Sequence, residues 1–231
     1  MSSRGVGFVA ACRALGARAP DAALAAAAAD LEQRWGTPER GYHDLEHLDE
    51  VLHHLVLLDA TTAATVLAAW FHDAVHTGRA AVQGQLSDEQ ASADLAGAVL
   101  TGVGTPASSA ARVADLVRVT ERHEPRAEDA EAAALCDADL AVLASAPARY
   151  ARYTQGVRRE YSALDEVTFV AGRIAVLRRL LARAEHGTHP DGPLFSTPAG
   201  RRLWAEQALS NLRAELLDLN PSSVDNSFDA V

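Results

Sequence analysis

Apolar residues recur at helical spacing along almost the whole chain, and this periodicity constrains the fold more than any other feature of the sequence. Runs of alternating β-branched residues bounded by turn residues, which are typical of strands, are missing from the sequence. We therefore expect an all-α protein of roughly nine helices.

Several residue types that favour the first turn of a helix indicate where these helices begin. The expected starts lie at Asp21, after Ser87 in a Ser-x-x-Gln capping box, at Pro106 and after Thr197. Breaks are expected near 36–41, 77–86, 101–105, 123–127 and 186–196. No internal repeat marks a second domain, so we expect one domain over 1–219, with a motif-bearing core over about 37–145, C-terminal helices over 146–219 and a flexible tail over 220–231.

The charge composition limits the partners. The net charge is −10, and all 21 cationic side chains are arginines. Nucleic acid polymers and anionic membranes reward clustered cationic surface, so we expect neither as a partner, whereas a small anionic substrate could be held by guanidinium groups. With two cysteines and no apolar run typical of a signal peptide or a membrane span, the expected compartment is the cytoplasm. The oligomeric state is left open, with a homodimer as one alternative.

The spacing His-Asp-x-x-His occurs twice, as "HDLEH" at 43–47 and "HDAVH" at 72–76. On a helix over 43–58, the leucines form one broad stripe, and His43 and His47 lie on an adjoining strip. This arrangement is typical of a helix that lines a polar cleft.

The second copy follows the apolar segment "TVLAAWF", so His72 and Asp73 are expected to be buried or to line a cleft. An ionised carboxylate taken out of water is costly unless a cation or several donors satisfy it, and a metal ion would do so. The sequence from His72 to His76 also imitates the zinc-protease motif H-E-x-x-H. Aspartate is one methylene too short for that base, which disfavours a protease.

A metal site built from His47, His72 and Asp73 needs a further carboxylate. The segment "ALCDADLAVL" at 134–143 supplies two candidates, because Asp137 and Asp139 lie in an otherwise apolar helix.

This ordered series resembles the HD superfamily of metal-dependent phosphohydrolases, and most closely its bacterial branch that opens with R-x-Y-H-x-x-x-H. The resemblance extends from about 37 to 219 and rests on the segments "RGYHDLEHL", "AAWFHDAVH", "SDEQASADL", "TERH", "CDADLAVL", "VRREYSALDEVTFVAGRIAVLRRLL" and "LFSTP". It implies that His47, His72, Asp73 and Asp139 are the metal ligands, with Asp137 as the neighbour or substitute of Asp139.

The resemblance also implies hydrolysis of a small phosphate ester, a nucleotide above all, by a metal-activated water. Imidazole and carboxylate ligands without thiolate suit Mn, Fe, Co, Ni, Zn or Mg. His43 and His76, each four residues from a ligand, and His123 are candidates to orient ligands, transfer protons or help hold a second ion. Glu89 matches a position of the same branch, but an acid also fits the first turn of a helix.

A substrate phosphate needs cationic donors. Arg158, Arg159 and Tyr161 lie close together on one expected helix. One of the two arginines, together with Arg40 or Arg173, is the expected phosphate clamp. The alternative is that these arginines are solvated or paired with glutamates on the surface.

Two other functions remain open. Paired iron would make the protein an oxygenase of the HD type, which requires additional ligands. A helical module that binds a metal or nucleotide without turnover is the non-enzymatic alternative.

Overall fold

The computed structural model describes residues 2–78, 86–185 and 192–220. Within these ranges the chain is all-helical and has no strand, as the apolar periodicity predicts. The described α-helices are α1 (Ser3–Ala14), α2 (Asp21–Trp35), α3 (Leu45–Leu57), α4 (Ala63–Phe71), α5 (Asp88–Gly102), α6 (Ala107–Val119), α7 (Ala130–Leu140), α8 (Pro147–Glu160), α9 (Glu166–Glu185) and α10 (Pro198–Leu219). A short 3₁₀-helix over Ala141–Ala144 follows α7.

The ten described α-helices are one more than the roughly nine expected. The segments after α7 and α8 lie outside the predicted breaks. So do the turns after α1 and α3, although the predicted helix start at Asp21 implies the first of these two turns. Each turn contains a residue with a left-handed backbone, Gly16 (φ 87°) and Asp59 (φ 54°). Glycine adopts this conformation freely, and aspartate tolerates it better than most other residues.

Two of the predicted helix starts have the expected side-chain caps. Ser87 Oγ accepts a hydrogen bond from the Gln90 amide at 3.1 Å, and Thr197 Oγ1 accepts one from the Gly200 amide at 2.8 Å. Asp21 is the first residue of α2, and Pro106 directly precedes α6. The predicted breaks at 77–86 and 186–196 lie in part, and the predicted tail almost wholly, outside the described residues.

Buried hydrophobic side chains form two clusters. The first is built by α1 to α7 around Trp35 and Trp70, and the indole N–H of Trp35 donates to the Trp70 carbonyl at 2.9 Å. The second is built mainly by the 3₁₀-helix and α8 to α10 around Leu177, Phe195 and Leu212. Burial of apolar surface is the main stabilising contribution in each.

The three C-terminal helices are joined by one buried polar network. Glu215 of α10 accepts hydrogen bonds from Arg173 of α9 at 2.6 and 2.9 Å and from the Tyr150 hydroxyl of α8 at 2.6 Å. A bidentate arginine–carboxylate pair of this kind fixes orientation as well as distance. Among the described helices, none combines the length and the apolarity needed to cross a bilayer.

Candidate metal centre

His47 is supplied by the first turn of α3. Asp44 caps this helix, because its Oδ1 accepts hydrogen bonds from the amides of Glu46 and His47. The imidazole of His47 is buried, and its Nδ1 lies 2.9 Å from the hydroxyl of Tyr42. The other ring nitrogen, Nε2, therefore faces the interior of the candidate site.

His72 and Asp73 lie immediately after α4, which ends at Phe71. The Nδ1 of His72 is 2.8 Å from the Ala69 carbonyl, and because a carbonyl only accepts, Nδ1 carries the proton. The lone pair of the neutral imidazole is then on Nε2, 3.1 Å from His47 Nε2. Asp73 Oδ2 is 3.2 Å from the same nitrogen of His72.

Asp139 completes the cluster from the last turn of α7. Its Oδ1 lies 3.1 Å from His47 Nε2 and 3.6 Å from His72 Nε2. Its Oδ2 accepts a hydrogen bond from His123 Nε2 at 2.8 Å. The loop that carries His123 is held by buried Arg183, whose Nη2 donates to the His123 carbonyl at 2.7 Å.

The spacing of these atoms fits a shared cation. Ligand atoms bound at about 2.1 Å to one ion lie about 3.0 Å apart at right angles and about 3.4 Å apart in a tetrahedron. The Nε2 atoms of His47 and His72 lie 3.1 Å apart. Each of these two atoms also lies 3.1–3.7 Å from the nearest oxygens of Asp73 and Asp139. His47, His72 and Asp139 thus form a group that could hold a metal ion, with Asp73 beside it.

The electrostatics of the cluster also favour a bound positive charge. Burial raises the pKa of both carboxyls, but the facing imidazoles outweigh burial, so the pKa values of Asp73 and Asp139 lie below 3.8. Burial lowers the pKa of His72, and the two carboxylates more than reverse this, leaving it well above 6.5. Burial keeps the pKa of His47 below 6.5. Two ionised carboxylates in a buried site call for a cation, either a proton on an imidazole or a metal ion.

A second group of ligand-type side chains lies beside the first and consists of His43, His76 and Glu160. Glu160 Oε1 accepts hydrogen bonds from three successive amides, those of residues 41–43, at 2.8–2.9 Å. Its Oε2 is 2.7 Å from His43 Nδ1 and 3.4 Å from His76 Nε2. The buried Nε2 of His76 has no hydrogen-bond partner among the described residues. The remaining nitrogen of His43, Nε2, lies 4.0 Å from Asp73 Oδ2, so the two groups adjoin.

A cavity of about 410 Å³ opens beside the cluster. His43, Asp73, His123 and Asp139 belong to its lining, and α8, α9 and the 3₁₀-helix supply much of the remaining wall. That wall is mostly apolar and includes Leu140, Val142, Leu143, Val157, Leu164, Phe169, Val176 and Leu180. A volume in this range is typical of small-molecule sites, which span about 300–1,000 Å³.

Comparison with protein-family models, with curated proteins and with solved structures finds no match to this chain.

The structure brings together the four predicted ligands and also His43, His76 and His123, but not in the way the spacing suggests. His43 precedes the start of α3, and His76 follows the end of α4, so neither shares a helix face with a ligand. The prediction that His43 and His47 share a helix face is therefore wrong. The non-helical segment 72–76 also lacks the geometry of the H-E-x-x-H motif, in which both histidines lie on one helix.

Asp137 lies away from the predicted ligands, although it is only two residues from Asp139. Its carboxylate accepts hydrogen bonds from the amides of Ser196 and Thr197 and from the Thr197 hydroxyl at 2.6–2.8 Å. Residues two apart on a helix point in different directions, so Asp137 anchors the start of α10 while Asp139 faces the histidines. The predicted role of Asp137 beside the metal is not supported by this geometry.

Most of the predicted phosphate clamp is engaged elsewhere. Arg40 stacks over the Trp35 ring and donates to the carbonyls of His43 and Ala74. It thereby joins the segment before α3 to the segment after α4. Arg158 donates to the carbonyls of Tyr161 and Leu164 at the end of α8.

Arg159 is largely exposed and donates to the Gly41 carbonyl. Arg173 does line the cavity, but Glu215 neutralises it. Tyr161 and Glu89 also line the cavity, and burial raises the pKa of each. Glu89 lies in the first turn of α5, as the alternative interpretation of this acid predicts.

Two residues near the cluster were not predicted as site residues from the sequence, namely Glu160 and exposed Arg179, which borders the cavity. The one sequence feature related to Glu160 is a glycine within the same helix. Gly156 lies one turn earlier on the same face of α8, and a Cβ there would come within 2.5 Å of the Gly41 carbonyl oxygen. A glycine at this position allows the close approach that brings Glu160 to the amides of 41–43.

Proposed function

We propose that this protein is a cytoplasmic, metal-dependent phosphohydrolase of the HD superfamily that hydrolyses small phosphate esters. The observation that carries the proposal is the cluster of His47, His72, Asp73 and Asp139 beside a cavity of about 410 Å³, in which the two imidazole Nε2 atoms lie 3.1–3.7 Å from each other and from the nearest carboxylate oxygens. The ordered motif resemblance supplies the reaction class.

These four residues would hold one divalent ion, which when bound lowers the pKa of a coordinated water and neutralises charge on a phosphoryl oxygen. The chain itself orients the ligands. The Ala69 carbonyl fixes the tautomer of His72, Tyr42 fixes the ring of His47, and His123 holds the outer oxygen of Asp139. Such hydrogen bonds keep a ligand set rigid before substrate binds.

His43 is the proton donor in this proposal. Glu160 binds its Nδ1, which leaves Nε2 as the ring atom on the Asp73 side of the cavity. A proton on Nε2 can pass to the ester oxygen as the bond to phosphorus breaks, because a positioned imidazole acts as a general acid. Buried Glu160 is itself fixed by three amides, so the orientation of His43 is set by the backbone.

The test is hydrolysis of generic phosphate esters, including p-nitrophenyl phosphate and AMP, with Mn²⁺, Co²⁺ or Mg²⁺ added. Phosphate release by the wild type, with a loss of at least about 100-fold in Asp73→Ala, is expected. His53→Ala provides a control. Because His53 is exposed, this variant should retain full activity. Equal rates in the wild type and Asp73→Ala would contradict the proposal.

A reaction that uses two ions has one observation in its favour. His43, His76 and Glu160 form a second group that could hold a metal ion, next to the first. Paired iron at the two groups would support oxygen-dependent cleavage rather than hydrolysis. Metal counting after anaerobic iron loading separates the two functions, since two ions per chain together with oxygen consumption favour the oxygenase.

A further inference from the structure

The walls of the cavity change character away from the metal centre. His43, Asp73 and Asp139 supply charge and hydrogen-bonding groups at the cluster. Leu143 of the 3₁₀-helix and Phe169 of α9 belong to the apolar part of the lining. A substrate whose phosphate lies at the cluster would therefore place its organic group against apolar side chains.

Three polar side chains in the rest of the lining, those of Thr120, Tyr153 and Arg173, are already paired. Arg173 is bound to Glu215 and donates to the Tyr153 hydroxyl at 3.1 Å. The Thr120 hydroxyl donates to the Val117 carbonyl at 2.8 Å. A nucleobase or ribose placed against these three side chains and the apolar wall would lose hydrogen bonds to water and find few free protein partners there, which is unfavourable.

The charge of the lining also argues against a polyphosphate. Within the described part of the chain, the arginines that line the cavity are Arg173, which Glu215 neutralises, and exposed Arg179. Asp73, Asp139 and Glu89 add carboxyl groups to the same lining. One phosphate can be balanced by a divalent ion, whereas each further phosphate would face this acidic surface with a single arginine to receive it.

We infer that the substrate is a phosphomonoester of an apolar alcohol, whose alkyl or aryl group fills the cavity between α8 and α9. This inference rests on the proposed phosphohydrolase activity and narrows its substrate class. Water adds its oxygen to phosphorus, the ester P–O bond breaks, and the departing oxygen takes up a proton. The products are inorganic phosphate and the apolar alcohol, with no change in oxidation state.

The size of the effect follows from burial of apolar surface. Each methylene that enters the cavity is expected to raise kcat/KM about fourfold, which corresponds to about 0.8 kcal/mol per buried CH₂. The gain stops when the cavity is full.

Phosphate release from ethyl, butyl, hexyl and octyl phosphate is the direct measurement, with AMP in the same series. We expect kcat/KM to rise along the alkyl series and hexyl phosphate to exceed AMP.

The cavity wall is tested with a matched pair of variants on α9. Val176 lines the cavity and is 38% exposed, whereas Val167 is 80% exposed and lies outside the lining. Val176→Asp is expected to lower kcat/KM for hexyl phosphate at least tenfold, which is about the effect of losing one buried hydrophobic contact. For ethyl phosphate, which does not reach this part of the wall, the loss should be less than twofold. Val167→Asp should leave both values unchanged, and Val176→Leu should keep the chain-length dependence.

The outcomes separate this inference from the proposed function. A flat alkyl series, a preference for AMP, or equal effects of Val176→Asp and Val167→Asp overturns the substrate class and leaves the phosphohydrolase standing. Absence of hydrolysis for every ester, p-nitrophenyl phosphate included, contradicts the proposed function, and the substrate class falls with it.

Discussion

The Nε2 atoms of His47 and His72 lie 3.1 Å apart, although 25 positions separate the two histidines. Two imidazole nitrogens this close to each other need a proton or another cation between them. The carboxylates of Asp73 and Asp139 flank the same nitrogens. His47, His72 and Asp139 are close enough to one another to hold one ion, and they come from three different helical regions.

Metal binding should distinguish two aspartates that are almost adjacent in sequence. Asp139→Asn is expected to weaken Mn²⁺ or Co²⁺ binding at least about 100-fold, because a ligand loses its charge in a buried site. Asp137→Asn should leave the affinity within about threefold, because Asp137 binds Ser196 and Thr197 instead. It should nevertheless lower the free energy of unfolding by about 1–3 kcal/mol. Calorimetric titration and urea unfolding measure the two quantities, and the reverse pattern would reassign the ligand.

Glu160→Gln tests the positioning of His43. The amide side chain of glutamine can still accept from the backbone amides, but the group that faces His43 Nδ1 loses its negative charge. We expect kcat to fall by about 10- to 100-fold while metal affinity stays unchanged. If kcat and metal affinity fall together, Glu160 belongs to the metal site itself, as it would in a centre with two ions.

The close approach of α8 to the segment before α3 makes a steric prediction. A Cβ on Gly156 would lie 2.5 Å from the Gly41 carbonyl oxygen, so Gly156→Ala should lower the free energy of unfolding by about 1–3 kcal/mol. Gly97 in α5 provides the control, because a Cβ there meets nothing within 4 Å. Gly97→Ala is expected to stabilise the protein by about 0.5–1 kcal/mol, and urea unfolding compares the two variants.

One ion-pair network should make stability depend on pH. The hydrogen bonds from Arg112 hold the pKa of Asp129 below its usual value of 3.8. Stabilisation by a carboxyl of this kind is present above pH 3.8 and is lost as the pH falls through the lowered pKa. Arg112→Met should therefore cost about 1 kcal/mol at pH 7 and less at pH 3. Urea unfolding at the two pH values checks this, and a cost that grows on acidification would contradict it.

The helical fold followed from periodicity and capping residues, which act locally and can be identified from short segments. Ser87 and Thr197 cap the helices expected of them. The predicted start at Asp21 implied the turn after α1, whereas the turn after α3, in which Asp59 has a left-handed backbone, was not expected.

The candidate site was predictable where a motif names its members and not where contacts are long-range. The motif grouped His47, His72, Asp73 and Asp139, and the structure brings these side chains together; their function as ligands stays a prediction. Glu160 reaches its partners across 117–119 positions, and no local pattern encodes that contact. Arginines on the surface of a helix likewise have many alternative partners, which explains why the expected phosphate clamp did not assemble.

The hydrogen bonds from the amides of 41–43 to Glu160 determine how short a fragment of this chain could be and still keep the candidate site ordered. A fragment that ends at 145 would retain every proposed ligand and the first hydrophobic cluster. It would lose the acceptor that orders the segment before α3, together with most of the cavity wall. Attempts to minimise or graft this site should therefore treat α8 as part of its framework and not as an appended helix.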